Sequence, residues 1–277
     1  MSAAGDVPIV GFVGLGNQGS PIAARIVGGG LPLRVWARRE ASLAEVASTA
    51  AVVMPSLTTL AAACDIVCVC VLADADVLQV CTGEDGLLPS MRSGTVLLVH
   101  STVAAQTCEA VAEAANSYGV HVLDAPVSGG EHRARKGEMS VMVGGDRSVF
   151  ERCRGVFETF ANSIEYLGPL GSGQRAKLVN NAVFTVNLSI ANAAIDIGVA
   201  LGIDREALTR VLIGSSANSF ALQTSAGASV AGRHRAAMLL RKDVDHFSAM
   251  TPPEPSGGFA DRSARDAIAW LESQQEP

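Results

Sequence analysis

Val7-Pro-Ile-Val-Gly-Phe-Val-Gly-Leu-Gly-Asn-Gln-Gly-Ser20 decides the reading of this chain. Its apolar run breaks into Gly14-Leu15-Gly16-Asn17-Gln18-Gly19, the form of a strand that delivers a Gly-x-Gly-x-x-Gly turn to a helix. In such a turn the first glycine permits the tight bend and the second lets the backbone approach a pyrophosphate. The third lets the helix pack closely on the strand, with free N–H groups facing the anion. Glycines also cluster in ordinary turns. Placement after an apolar strand and before Pro21-Ile-Ala-Ala-Arg-Ile-Val27 favours a dinucleotide site lined by residues 14 to 19.

Outward from that turn, short β-branched runs alternate with Ala-rich helical stretches as far as residue 166, the pattern of β-α-β units around a parallel sheet. Strands are expected at 8–13, 33–36, 51–53, 66–71, 95–99, 120–123, 138–143 and 163–166, and helices at 41–48, 104–117 and 148–160. After Gly168-Pro-Leu-Gly-Ser-Gly173 the pattern becomes one long helical stretch, 174–201. It is apolar enough to resemble a membrane span, yet Lys177, Asn180, Asn181, Asn187, Asn192 and Asp196 interrupt it and would be costly in lipid, so a buried interdomain helix is expected. Asp204 is placed to cap a helix over 205–213, further helix runs to about 249, and 251–258 is expected to be a loop before a last helix at 261–272. The fold class expected is α/β: a Rossmann-type doubly wound parallel sheet (1–166) followed by an all-helical C-terminal domain (167–277).

The composition of the 277 residues, 48% hydrophobic and 17% charged, suffices for a large buried core. A net charge of −6 gives no electrostatic case for nucleic acid, and no long basic run suggests a membrane surface. Small molecules are the expected partners. Met1–Asp6 is small and polar and leads straight into the first strand, from which a cytoplasmic location is expected. The six cysteines lack paired metal-ligand spacing and read as small buried hydrophobes, so no metal site is expected.

Three further segments carry chemistry. Arg34-Val-Trp-Ala-Arg38-Arg39 ends the second strand about twenty residues past the glycine turn, where an acidic residue would take the ribose 2′-hydroxyl of NAD. Two arginines suit a 2′-phosphate instead, so NADP is favoured with NAD as the alternative, unless the pair is simply solvated. Leu123-Asp-Ala-Pro-Val-Ser128-Gly129-Gly130 opens from a strand end into a Gly-rich turn whose hydroxyl and N–H groups suit a substrate carboxylate, although a plain turn has the same form. Arg133 and Arg135 add positive charge nearby, or form a solvated charge run. In Gly171-Ser-Gly-Gln-Arg-Ala-Lys177-Leu-Val-Asn-Asn181, Lys177 and Asn181 are four apart and share a helix face. A lysine on an apolar helix fits proton transfer, or snorkels from the helix end.

Together these segments resemble the β-hydroxyacid dehydrogenase family, the 3-hydroxyisobutyrate dehydrogenases and tartronate semialdehyde or glyoxylate reductases, with 6-phosphogluconate dehydrogenase-like features, over residues 8 to 247. The resemblance implies a general acid/base role for Lys177, substrate binding by Asn181 with Ser128, Gly129 and Gly130, and cofactor contacts at Thr102 of His100-Ser-Thr-Val103 and at Lys242 of Lys242-Asp243. It also implies a hydride transfer between the nicotinamide and a short β-hydroxyacid or semialdehyde held at the cleft, and a homodimer or homotetramer built on the helical domain. Only residues 244–260 separate Asp243 from Asp261-Arg-Ser-Ala264, where relatives carry a further helix and loop. That shortening leaves a non-catalytic NAD(P)-binding protein as one alternative, and an imine reductase-like enzyme is another.

Overall fold

Val10–Val13 (β1), Leu33–Trp36 (β2), Val52–Val53 (β3), Ile66–Val69 (β4), Val96–Val99 (β5) and His121–Asp124 (β6) run parallel, in the spatial order β3-β2-β1-β4-β5-β6. Val127–Ser128 (β7) pairs antiparallel with Met139–Gly144 (β8), which is itself antiparallel to β6 and parallel to Ala161–Gly168 (β9). The sheet is therefore mostly parallel, with β8 and β9 running against the other strands. The computed structural model describes residues 7–225 and 229–274; Met1–Asp6 lies outside them. Two compact units result, Met1–Lys177 and Leu178–Pro277.

Helices follow the strands: Gly19–Gly28 (α1), Leu57–Ala63 (α2), Asp74–Thr82 (α3), Ala105–Asn116 (α4), Gly130–Lys136 (α5) and Arg147–Phe157 (α6). The central strands β1, β4 and β5 are buried at every position, as expected where helices cover both faces of a parallel sheet. Alternate residues feed two separate cores. Phe12, Cys68 and Leu98 pack on one face with Phe150, Phe157 and Phe160, while Val67, Val69, Leu97 and Val99 pack on the other with Leu60, Val77 and Val111. Each fully buried large apolar side chain contributes about 1.5–3 kcal/mol.

The helix expected at 41–48 is reduced to a 3₁₀ turn at Glu40–Leu43, because in that stretch only Val46 is buried and one side chain cannot hold two turns on the sheet. Three short helices were not foreseen. One of them, α2, starts at Ser56, whose hydroxyl accepts from the Thr59 N–H while Thr59 reaches back to the Ser56 N–H.

The long stretch forms Ser172–Ala200 (α7), whose remaining companions are Arg205–Ile213 (α8), Phe220–Ser225 (α9), Val230–Met250 (α10) and Pro255–Ser273 (α11). Asp204 caps α8 as expected, accepting from the Ala207 N–H at 2.8 Å. The last helix starts six residues earlier than expected. Pro255 occupies its first turn, where a missing N–H costs nothing, and the Gly258 N–H already donates to the Glu254 carbonyl at 2.8 Å. Leu178, Leu188, Leu240, Val244, Phe247, Ile268 and Leu271 form this unit's own core.

By length and composition α7 is apolar enough to cross a membrane. Its buried side mixes Leu178, Ala182, Leu188 and Ile195 with Asn181, Thr185, Ser189 and Asn192, whose side chains turn to hydrogen bonds, Ser189 donating to the carbonyls of Thr185 and Ala267. The opposite face is apolar and exposed, with Val183, Ile190 and Ile197 each more than half accessible.

His100, at the end of β5, is buried among the rings of Phe12, Phe157 and Phe160. Its Nδ1 lies 2.7 Å from the Ala125 carbonyl oxygen, which can only accept, so Nδ1 carries the proton; Nε2 has no partner among the described residues. Burial pushes its pKa down from 6.5 to about 4. The folded state thus resists protonation that the unfolded chain accepts. Stability is intact above pH 6.5 and falls as pH drops towards 4, by up to about 3 kcal/mol from this residue. Urea denaturation at pH 7 and pH 4.5 is expected to show this loss, and His100→Gln, which keeps a donor towards Ala125, to show a smaller one.

Candidate active site

Five of the predicted segments lie along the carboxyl edge of the sheet, where open α/β sheets bind their ligands. The glycine turn leaves β1 there, and β1 lies between β2 and β4 at the point where strand order reverses. Gly14 has φ +96°, and a Cβ on it would overlap the Cys70 carbonyl oxygen just past β4. A Cβ on Gly19 would overlap the Gly14 carbonyl. Gly16 by contrast faces open space, with nothing within 4 Å of where a Cβ would lie. No side chain caps the N-terminus of α1. An uncapped helix end beside an open cradle fits the pyrophosphate of a dinucleotide. Asn17 is exposed and Gln18 half-buried along this cradle, whereas the Leu15 side chain turns into the core, leaving only its backbone for the ligand.

Arg38 and Arg39 follow β2, the strand beside β1, and both are exposed. Neither makes an ion pair among the described residues. Thr102 is half-buried in the loop after β5. Ser101, its neighbour, accepts from the Val71 N–H at 2.8 Å and so ties that loop to the end of β4. Ser128 ends β7 and is half-buried; Gly129 (φ +133°) and Gly130 (φ +69°) then turn the chain into α5. On α5, Arg135 is neutralised by ion pairs to Glu131 and Glu45 rather than lending charge to the Ser128 turn.

A carboxylate with no motif of its own in the sequence organises this edge. Asp124, fully buried at the end of β6, accepts from the N–H groups of Gly171 and Gln174, both at 2.7 Å, and so caps the start of α7. Burial pushes its pKa up, and those two N–H groups pull it back. Gln174, equally buried, spans the Thr102 loop: its Oε1 accepts from the Val103 N–H at 3.1 Å and its Nε2 donates to the Ser101 carbonyl at 2.8 Å. One turn further along α7 comes Lys177, 7% exposed. None of these partners is near in sequence, which is why spacing could not reveal them.

The other two expected residues sit together in the helical unit. Asn181 donates to Asp243 Oδ2 at 2.6 Å, and the Asp243 Oδ1 receives Lys242 Nζ at 2.7 Å. Asn180 donates to Asn181 Oδ1 at 3.0 Å. Asp243, like Asn181, is buried, so this row of amide, carboxylate and ammonium is internally compensated. Lys242 in this arrangement spends its charge on Asp243. Among the described residues no group of three or more His, Cys, Asp or Glu is placed to hold a metal ion. All six cysteines are free, and burial pushes Cys64, Cys70, Cys81 and Cys153 up to about 12.

Residues 9–168 match the model of the NAD-binding domain of 6-phosphogluconate dehydrogenase, and residues 171–251 match that of the NAD-binding region of NADP-dependent 3-hydroxyisobutyrate dehydrogenase. The chain belongs to the β-hydroxyacid dehydrogenase family. It is 34% identical over 213 residues to the 3-hydroxyisobutyrate dehydrogenase of Pseudomonas aeruginosa, covering 77% of this chain and 72% of that one. To the NAD-dependent L-serine dehydrogenase of the same organism it is 32% identical over 214 residues, with 77% and 72% coverage. The solved 3-hydroxyisobutyrate dehydrogenase of Mycobacterium tuberculosis with L-serine superposes with a TM-score of 0.79 at 27% identity, over 98% of this chain and 100% of that one. As a member of the β-hydroxyacid dehydrogenases, the chain is an NAD(P)-dependent dehydrogenase of hydroxyacids, small molecules carrying a CH–OH donor.

Proposed function

We propose that this β-hydroxyacid dehydrogenase uses Lys177 as its general acid/base on a short β-hydroxyacid or semialdehyde, with NADP(H) preferred to NAD(H). The observation that carries this reading is the burial of Lys177 on α7, one turn beyond the Gln174 bracket on the Thr102 loop. A bound nicotinamide supplies the hydride acceptor for oxidation and the donor for reduction. In the oxidising direction Lys177 Nζ takes the hydroxyl proton, and in the reducing direction it returns one to the carbonyl oxygen. Ser128 and the Gly129 and Gly130 N–H groups hold the substrate carboxylate. Asn181, on the Lys177 face of the same helix, gives a hydrogen bond to the reacting oxygen. Fixing both ends of a small acid converts binding into orientation, a contribution of several kcal/mol. The names of the relatives point to 3-hydroxyisobutyrate and L-serine as first substrates to try.

Cofactor preference rests on Arg38 and Arg39, two exposed guanidinium groups in the position where an acidic residue would select the unphosphorylated ribose. Gly14 to Gly19 take the pyrophosphate, Thr102 lies towards the nicotinamide, and Lys242 would have to exchange Asp243 for the cofactor to contact it. For assembly, we take the exposed apolar face of α7 as the surface covered by a second copy in a homodimer or homotetramer.

Lys177→Ala is expected to cut kcat by about two to four orders of magnitude with cofactor affinity nearly unchanged; unaltered turnover of 3-hydroxyisobutyrate or L-serine would remove the assigned role. Titration of fluorescence should give a Kd for NADPH at least about tenfold below that for NADH, a gap that closes in Arg38→Ala/Arg39→Ala. Equal affinities in the unmodified protein would refute the arginine argument. Light scattering is expected to read two or four chains per particle, and Ile190→Lys to lower that number; a single chain in the unmodified protein rejects the assembly.

A further inference from the structure

Gln174 fastens the first turn of α7 to the loop that carries Thr102, and its side chain also hydrogen-bonds the buried Cys108 thiol. Its side chain is wholly buried, with the amide oxygen on the Val103 N–H and the amide nitrogen on the Ser101 carbonyl, so that Thr102 is held between two fixed peptide groups. Its own N–H is held by Asp124 at 2.7 Å. Lys177 follows three positions later, a neighbour on the helix surface. We propose that Gln174 is a positioning residue for hydride transfer: it keeps Lys177 in register with Thr102, and so keeps the proton-transfer group in register with the nicotinamide side of the site. The inference rests on the assignment of Lys177 as the general acid/base.

The chemistry of the amide explains why this residue type is needed. The Ser101 carbonyl requires a donor and the Val103 N–H requires an acceptor, and both must be met by one planar group. Leucine meets neither requirement. Glutamate has the right length but, when ionised, sets a carboxylate oxygen against the Ser101 carbonyl. Asparagine is one methylene short of the loop. Either fault lets the Thr102 loop and the first turns of α7 move independently. A misplacement of about 1 Å at a reacting group is enough to cost on the order of 10²-fold in rate.

The test is steady-state kinetics of Gln174→Leu and Gln174→Glu, each also combined with Lys177→Ala, using a hydroxyacid deuterated at its carbinol carbon and cofactor binding as a separate readout. Gln174→Leu is expected to lower kcat by about 10- to 100-fold. The KM for the acid and the Kd for the cofactor should stay within about threefold, because the glycine cradle of residues 14–19 and the Ser128 turn, which anchor them, lie outside the Gln174 bracket. The isotope effect on kcat should rise as the chemical step becomes slower than release. In the Lys177→Ala background the same substitution should cost nothing further, because there is no ammonium left to position. Gln174→Glu should regain part of kcat on the acid side of its profile, where the protonated carboxyl donates to Ser101 as the amide does.

A Gln174→Leu protein with unaltered Tm and unaltered kcat overturns the proposal, as does an equal proportional loss with and without Lys177. Should Gln174→Leu fail to fold, a Gln174→Glu profile of the same shape and height as that of the unmodified protein overturns it. Full turnover in Lys177→Ala alone removes both assignments. Loss there with none at Gln174 removes only the positioning role.

Discussion

A single carboxylate, buried completely, sets the frame in which the rest of the site is built. Burying an ion without partners costs several kcal/mol, so Asp124 is tolerable only because the N–H groups of Gly171 and Gln174 and the positive end of α7 meet it. The exchange works in both directions: a 29-residue helix gains a defined starting point, and its first turn is fastened to the end of β6. Space for the carboxylate is equally specific. A Cβ on Gly173 would overlap the Met142 carbonyl and crowd Asp124 Oδ2, so the glycine before Gln174 is a packing requirement of the cap.

What the sequence makes legible is the part governed by local rules. Parallel strands covered on both faces must be apolar throughout, so β1, β4 and β5 stand out as continuous runs, and the glycine turn announces itself because both Gly14 and Gly19 press against backbone. Asp204 before α8 follows a local rule as well, an acceptor supplied to the unpaired N–H groups of a helix start. Short elements escape such rules. Helices α2, α3 and α5 run seven to nine residues, too few for periodicity to rise above composition, and the two-residue β7 has no pattern at all. Pro255 hides the true start of α11 because three prolines in a row of four residues, Pro252-Pro-Glu-Pro255, look like a loop whether or not a helix begins at the last.

The candidate site divides along the same line. Lys177, Ser128, Asn181 and the glycine cradle are read from residue type in a motif, whereas Asp124, Gln174 and Asp243 act through partners 47 to 73 residues away. Only the folded chain reveals that the Asn181 amide is held by Asp243, or that Arg135 is spent on two glutamates. Charge in a sequence is a count; in a structure it is a set of pairings, and here the pairings decide which cations are available to a ligand. Arg38 and Arg39 retain their charge for solvent or phosphate, while that of Lys242 is already matched.

The cysteines packed around the sheet carry a chemical implication of a different kind. Burial pushes Cys64, Cys70, Cys81 and Cys153 up to about 12 and so disfavours thiolate, the form that oxidants and alkylating agents attack. Sulfur therefore serves this dehydrogenase as filler between strands and helices. The packing that fills the space between sheet and helices is thus the same feature that keeps these sulfurs as unreactive thiols.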